Sequence, residues 1–225
     1  MRCKDLFFCL ASLALLTEQT SAGAWPRGKG KVFLSYSSSL TWPDGRPLEL
    51  PDIYGGIYAE YGLSKRLTFG LDVGSPDATR PNRLKAIGFF RYSLSAPSAA
   101  HQFAFDVGAG KYLGEPVVRI GGSYGKGISL FSRSGWMSLD AHMLVVPSSR
   151  ATTRSIDATL GVNLPKGKAM GLLSMHRSAT GDSTYTFTPS YAYQIDAKRH
   201  IDIGVSFNLD SGSDPALKLG VWQEF

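Results

Sequence analysis

From about residue 30 onward the chain alternates. In Leu67-Thr68-Phe69-Gly70-Leu71-Asp72-Val73 each odd position is large and apolar and each even one is small or polar. The same period of two runs through 103–109, 156–162 and 201–207. Strict alternation is the mark of a β-strand with one apolar face. Carried along the chain, it predicts twelve strands, at about 30–41, 51–63, 66–75, 83–95, 101–112, 116–127, 135–146, 151–163, 168–178, 183–195, 199–209 and 215–225. The fold class expected is all-β, an antiparallel transmembrane β-barrel of about 12 strands, closed, with ten or fourteen as alternative counts. Taken in turn, the connections fall into two classes. Those at 64–66, 164–167 and 196–198 are short, whereas 42–50 and 75–82 are longer and rich in Pro and Asp. Short turns at the periplasmic end and longer loops outside is the arrangement of outer-membrane barrels. Two connections break the rule: 127–134 is long where a turn is wanted, and 113–115 is short where a loop is wanted.

The residues on the polar faces decide between a membrane barrel and a soluble one. They are mostly Gly, Ser, Thr and Asp, with few of the long Lys and Glu side chains that coat a soluble sheet. An Arg or Lys at the midplane of a lipid-facing surface costs about 2–4 kcal/mol, Asp or Glu somewhat less. Asp72, Asp106, Asp140, Asp157 and Asp202 are therefore expected to line the lumen, together with Arg91, Arg119 and His142. In Ile87-Gly88-Phe89-Phe90-Arg91-Tyr92 the arginine takes Ile87 and Phe89 inward and leaves Phe90 and Tyr92 to lipid. Aromatic residues near segment ends, namely Tyr36, Trp42, Tyr54, Tyr61, Tyr112, Trp136 and Trp222, are candidates for the two interfacial girdles. Arg46, Arg80, Arg83, Arg150 and Arg154 fall near the outer rim, within reach of anionic lipid head groups. Glycine supplies 25 of 225 residues, above the roughly 7% norm, as a barrel of closely packed strands allows.

The first two dozen residues follow other rules. Arg2 and Lys4 precede an apolar run at 6–16, and Ala22-Gly23-Ala24 has the small-x-small form that a signal peptidase cuts after. Residues 1–24 are read as a cleaved signal peptide and 25–225 as the outer-membrane β-barrel domain, beginning at Trp25. The cut removes Cys3 and Cys9, the two cysteines of the chain, so the exported part has no disulfide and no thiolate metal site. It removes Arg2 and Lys4 together with Asp5 and Glu18, so the net charge stays at +6. The charges are interspersed, with no basic helix or stacking set of the kind nucleic acid requires. After the signal region no stretch of about 18 apolar residues remains to form a spanning helix.

Catalytic chemistry has one candidate constellation. Ser138, Asp140 and His142 share a face of one strand, as parts of a Ser/His/Asp relay would. Alternate residues of a strand stand about 6–7 Å apart, too far for direct relay, so no catalytic residues and no enzyme are expected. His101, His176 and His200 are scattered, and no metal site is expected. The run Gly121-Gly122-Ser123-Tyr124-Gly125-Lys126-Gly127 lacks phosphate-loop spacing and lies in a strand. It suits close backbone packing or lumen clearance. Lumen carboxylates with Arg91 and Arg119 fit a buried salt-bridge lattice that holds the barrel's shape.

The ending Leu217-Lys218-Leu219-Gly220-Val221-Trp222-Gln223-Glu224-Phe225 resembles the C-terminal assembly signal of bacterial outer-membrane barrels. Lys218, Gly220, Val221 and Phe225 match it, while Gln223 stands where an apolar residue is usual. The resemblance implies an outer-membrane location in a diderm bacterium and recognition by the barrel-assembly machinery. A second stretch, from Tyr58 through Glu60-Tyr61-Gly62-Leu63-Ser64-Lys65-Arg66 to Gly70, is similar to a hairpin of the phenol-degradation meta-pathway outer-membrane transporter family. The function expected is a passive, porin-like channel or transporter for a small solute, with outer-membrane lipids around it and no cofactor. Two readings stand beside it: a closed structural or surface-interaction barrel, and a periplasmic barrel that binds a lipid-like ligand.

Overall fold

The computed structural model describes residues 23–42, 50–75, 84–210 and 215–225. Twelve strands follow one another: β1 (Val32–Thr41), β2 (Asp52–Gly62), β3 (Leu67–Ser75), β4 (Lys85–Ser93), β5 (His101–Tyr112), β6 (Glu115–Leu130), β7 (Arg133–Val145), β8 (Thr152–Leu164), β9 (Gly167–Arg177), β10 (Ser183–Gln194), β11 (Arg199–Asn208) and β12 (Ala216–Glu224). Each pairs antiparallel with its sequence neighbours, and β1 pairs with β12 to close a barrel. The seam runs from Phe33↔Glu224 to Thr41↔Ala216, and Phe225 N donates to Val32 O at 3.0 Å. Closure removes the row of unmet backbone groups that an open edge would present to hydrocarbon.

Residues 31 and 225 lie at one end, with the connections 63–66, 94–100, 131–132, 165–166 and 195–198. This is the turn end; the opposite one is the loop end. Two of the turns are built by side chains that mimic backbone. Ser64 Oγ accepts from Leu67 N at 3.0 Å, and Asp196 Oδ1 accepts from Lys198 N and Arg199 N at 2.9 Å each. The long connection expected at 127–134 does not exist. β6 continues to Leu130 and β7 starts at Arg133, leaving the two-residue turn Phe131-Ser132 with φ of 50° and 60°. Positive φ at both positions gives the hairpin twist that matches flanking strands. Without Gly or Asn to announce it, and at a cost of about 1–2 kcal/mol per residue, such a turn is silent in sequence. Leu113-Gly114 at the loop end has the same geometry, with φ of 51° and 84°. That short connection among longer ones is real.

The two faces separate as alternation requires. Phe69, Leu71, Phe103, Phe105, Val107, Ile201 and Ile203 are each 39–50% exposed on the outside, while Thr68, Asp106 and Asp202 are buried inside. Ile87, Phe89 and Arg91 point inward and are buried, with Phe90 and Tyr92 outside. Glycines on both neighbouring strands make room for these large inward side chains. A Cβ at Gly70 of β3 would lie 2.1 Å from Phe89 Cζ, and one at Gly108 of β5 would lie 2.7 Å from Phe89 Cβ. Gln223 is an outward position paired with Arg199, beside the turn that Asp196 closes, so its amide sits at the rim.

The girdle expectation needs correction at several aromatics. Trp136 is buried inside, where its ring lies over Gly161, and a Cβ on that glycine would stand 2.3 Å from Trp136 Cζ2. Tyr54 and Tyr112 line an internal cavity, and Trp222 packs against His200 with ring centroids 6.0 Å apart. Tyr36 and Tyr61 are exposed on the outer surface. Alternation explains the error: one-residue parity decides which face a side chain takes, whatever its type.

Candidate functional site

A barrel of twelve strands is wider than one that its own wall side chains fill, and narrower than an open porin. Here part of the space is taken by the chain's own N-terminal segment. From Lys31 at the turn end the chain turns into the lumen. Gly30 N donates to Gly62 O at 2.8 Å, and Gly62 N donates to Lys31 O at 2.9 Å. Gly62 must be glycine here, because a Cβ would lie 1.8 Å from Gly28 O. Further in, Ala24 and Trp25 are buried against Trp136 and Met170. The Trp25 ring stands on Gly125, where a Cβ would approach Cζ3 to 2.4 Å. The glycine-rich run of β6 is thus a floor for an aromatic ring.

Arg27 ties this segment to the wall. Its Nε donates to Glu60 Oε2, its backbone N to Thr68 Oγ1 at 3.4 Å, and its guanidinium lies 4.1 Å over the Phe33 ring. Glu60 is shared: Arg91 Nη1 and Tyr58 Oη, the latter at 2.6 Å, both donate to its Oε1. Beside it runs a second chain of charges. Lys85 Nζ meets Asp72 Oδ1 at 2.7 Å, Arg119 Nη1 meets Asp72 Oδ2 at 3.5 Å, and Arg119 Nε donates to Asp106 Oδ1 at 2.7 Å. His142 Nε2 lies 2.6 Å from Arg119 Nη2 and 3.4 Å from Asp106 Oδ2. Phe89 carries both guanidiniums on its ring, Arg119 at 4.3 Å and Arg91 at 5.1 Å. Buried charges survive only when each has partners, and these do.

Above the N-terminal segment a vestibule of about 790 Å³ opens toward the loop end. Its walls differ in chemistry. Lys85, Arg91 and Arg119, with Glu60 and Asp72, line the side formed by β2–β6. The opposite side carries Ser138, Asp140, Ser155, Asp157 and Thr159 from β7 and β8. Asp140 and Asp157 are direct partners across those strands. A solute in this space meets a salt-bridged, cation-bearing wall on one side and two carboxylates on the other.

Solved structures that share this architecture include a porin and an outer membrane channel. KdgM porin superposes with a TM-score of 0.60 at 8% identity, covering 86% of this chain and 99% of that one. The fold is that of an outer-membrane porin. The same porin in complex with disordered oligogalacturonate gives 0.60 at 9% identity, over 86% and 99% of the two chains. An outer membrane channel from Pseudomonas putida F1 gives 0.53 at 15% identity, over 92% of this chain and all of that one. No family model matches the sequence, and no curated protein matches it either.

Within the porin-type barrel, Asp72, Arg91, Arg119, Asp140, His142 and Asp157 all line the vestibule. Asp106 lies beneath it, under Arg119 and His142. Asp202 sits apart on β11, paired with Lys218 of β12 at 2.9 Å. Lys218 and Gly220 face inward, whereas Val221 and Phe225 are exposed outside. Ser138, Asp140 and His142 share a face, yet His142 turns its Nε2 to Arg119 and Asp106, not to Ser138. Among the described residues no group of three His, Cys, Asp or Glu could hold a metal. Arg154 is outward at the loop end beside Arg177, and Arg150 lies in the β7–β8 connection. Arg46, Arg80 and Arg83 fall outside the described residues.

The residues that sequence reasoning missed are Trp25, Arg27, Tyr58, Glu60 and Lys85. Glu60 and Lys85 were accessible to the facing rule, which sends charged strand residues inward. Trp25 and Arg27 belong to no strand, so no periodicity marks them.

Proposed function

We propose that the chain is an outer-membrane channel for a small polar solute, exported by its signal peptide and closed at the periplasmic end by residues 25–30. The observation that carries this reading is the charged vestibule of about 790 Å³, which ends on a floor held beyond Gly30 by side-chain contacts of Trp25 and Arg27 rather than by the strand ladder. Such a floor is separable from the barrel, since every wall strand keeps its pairing without it. The outward band of Leu, Ile, Val and Phe meets the outer-membrane lipids, and the strand ending in Phe225 presents Val221 and Phe225 to the barrel-assembly machinery. The turn end is periplasmic and the vestibule faces the outside.

The closed structural barrel remains the rival reading, favoured by the Arg27–Glu60–Arg91 cluster at the floor. Planar-bilayer recording separates the two. The protein beginning at Trp25 is expected to conduct weakly, and a variant lacking residues 25–29 to conduct several-fold more. Absence of conductance from both, with the barrel folded, overturns the channel reading.

A further inference from the structure

The carboxylates of the lumen are not equally served. Glu60, Asp72, Asp106 and Asp202 each have a basic partner. Asp140 and Asp157, opposite one another on β7 and β8, have no salt-bridge partner among the described residues. Ser174 Oγ donates to Asp157 Oδ1 at 2.5 Å, but Asp140 Oδ1 is buried with no hydrogen bond. Beside it, Ser138 is 3% exposed and its Oγ, turned into the same space, is also without a partner. Like charges directly opposite on neighbouring strands repel. Neither carboxylate of this wall has a cation within salt-bridge range among the described residues, and Ser174 serves Asp157 alone.

What lies against it is the chain's own N-terminal segment. A Cβ on Gly23 would stand 2.1 Å from Asp140 Oδ1 and 3.0 Å from Ser123 Oγ. Cleavage after Ala24 removes Gly23 and Ala24, vacates that space and turns the amide nitrogen of Trp25 into an ammonium. The Trp25 ring, fixed between Gly125 and Trp136, holds this nitrogen inside the lumen. Two Cα steps of about 3.8 Å bound its distance from the place of Gly23, a gap that the freed terminus must close by moving or through a bridging water. An ammonium has three donors and no acceptor, which suits two carboxylates and a serine hydroxyl.

We infer that Asp140, Asp157 and Ser138 form a binding site for the free α-ammonium of Trp25, so that signal-peptide removal itself completes the plug. In the precursor the Trp25 nitrogen is a peptide amide and carries no charge. The processed chain supplies one, fixed at the end of a segment that Arg27 already anchors to the opposite wall. The plug is then pinned to both sides of the lumen, by Glu60 on one and by Asp140 with Asp157 on the other. This rests on the cut after Ala24 that the sequence suggests, and not on whether the barrel conducts.

The test uses mature protein extracted from outer membranes. Its intact mass is expected to start at Trp25; any other start overturns the inference. The α-amine is then labelled with an amine-reactive ester at neutral pH, with Lys65 in an exposed turn as internal reference. An opposite charge at hydrogen-bond range holds an amine protonated, so labelling in the wild type should be on the order of tenfold slower than in Asp140→Asn. Asp157→Asn serves as the second variant if Asp140→Asn does not reach the membrane. Asp202→Asn, whose partner is Lys218, should leave the α-amine as protected as in the wild type. Equal labelling of wild type, D140N and D157N overturns the site, as does equal deprotection by D202N. A non-conducting barrel with a protected α-amine would refute the channel and leave the site standing.

Discussion

Replacing Glu60 by alanine tests the floor of the vestibule most directly. The carboxylate is 3% exposed and serves two guanidiniums, Arg27 and Arg91, whose side chains are 7% and 3% exposed. Removing one partner of a buried ion pair costs about 3–5 kcal/mol, because a charge is left without compensation. Arg91 cannot escape, since β4 is hydrogen-bonded on both sides. Arg27 can, by carrying the N-terminal segment out of the lumen. The cost therefore appears as undocking, and at 1.4 kcal/mol per factor of ten it lowers the docking constant by about two to three and a half orders of magnitude. Trypsin reads this out: the Arg27–Gly28 bond is cut only when the segment is out, so the cleavage rate follows the open fraction. The expected result is resistance in the wild type, cleavage about 100-fold faster or more in Glu60→Ala, and an intermediate rate in Glu60→Gln. Heat-modifiable migration verifies that each barrel is intact. An intact Glu60→Ala barrel cut as slowly as the wild type would refute the claim that this carboxylate holds the segment.

Three further outcomes follow from the geometry. Gly161→Val puts a side chain where a Cβ lies 2.3 Å from Trp136 Cζ2; overpacking of this kind is expected to lower unfolding stability by about 1–3 kcal/mol in denaturant titrations in lipid. Leu139→Arg places a guanidinium on the outward face of β7, and should destabilise by about 2–4 kcal/mol in the same assay. The Asp196 carboxylate lies below its ordinary range, chiefly because Lys198 N donates to it, with the Arg199 side chain adding to this. A depressed folded value means the stabilisation is present above the usual carboxylate pKa near 4 and is lost as pH falls through the folded value. Amide exchange at Lys198 and Arg199 is expected to accelerate there once the intrinsic pH dependence is removed, and to be insensitive to pH in Asp196→Ala.

Alternation made the wall legible. Given the cost of charge in lipid, parity alone placed Asp72, Asp106, Asp140, Asp157 and Asp202 on one face, and it turned Ile87 and Phe89 inward with Arg91. The same rule applied to Trp136 would have kept it off the girdle, since Trp136, Ser138 and Asp140 share a face; residue type misled where parity was decisive. The turn at Phe131-Ser132 was hidden because its residues are poor formers of the backbone shape they adopt. The segment carrying Trp25 and Arg27 was beyond any periodic argument. It has no ladder of its own, and its place is set by footprints such as Gly125 and Gly62, which read in sequence only as missing side chains. Pairing is similar: sequence placed the lumen charges, but the partnership of Lys218 with Asp202, or of Glu60 with two arginines, depends on register between strands.

The seam between β1 and β12 has a consequence in time. Every other strand pair joins sequence neighbours and can form as a hairpin within microseconds. β1 instead waits for a partner synthesised about 200 residues later, which at about 5–20 residues per second is a delay of roughly 10–40 s. Throughout that interval one edge of the growing sheet offers unpaired N–H and C=O groups to any passing strand, including β12 of another copy. For a sheet built in chain order, the greatest exposure to mispairing falls before Val32 and Phe225 meet.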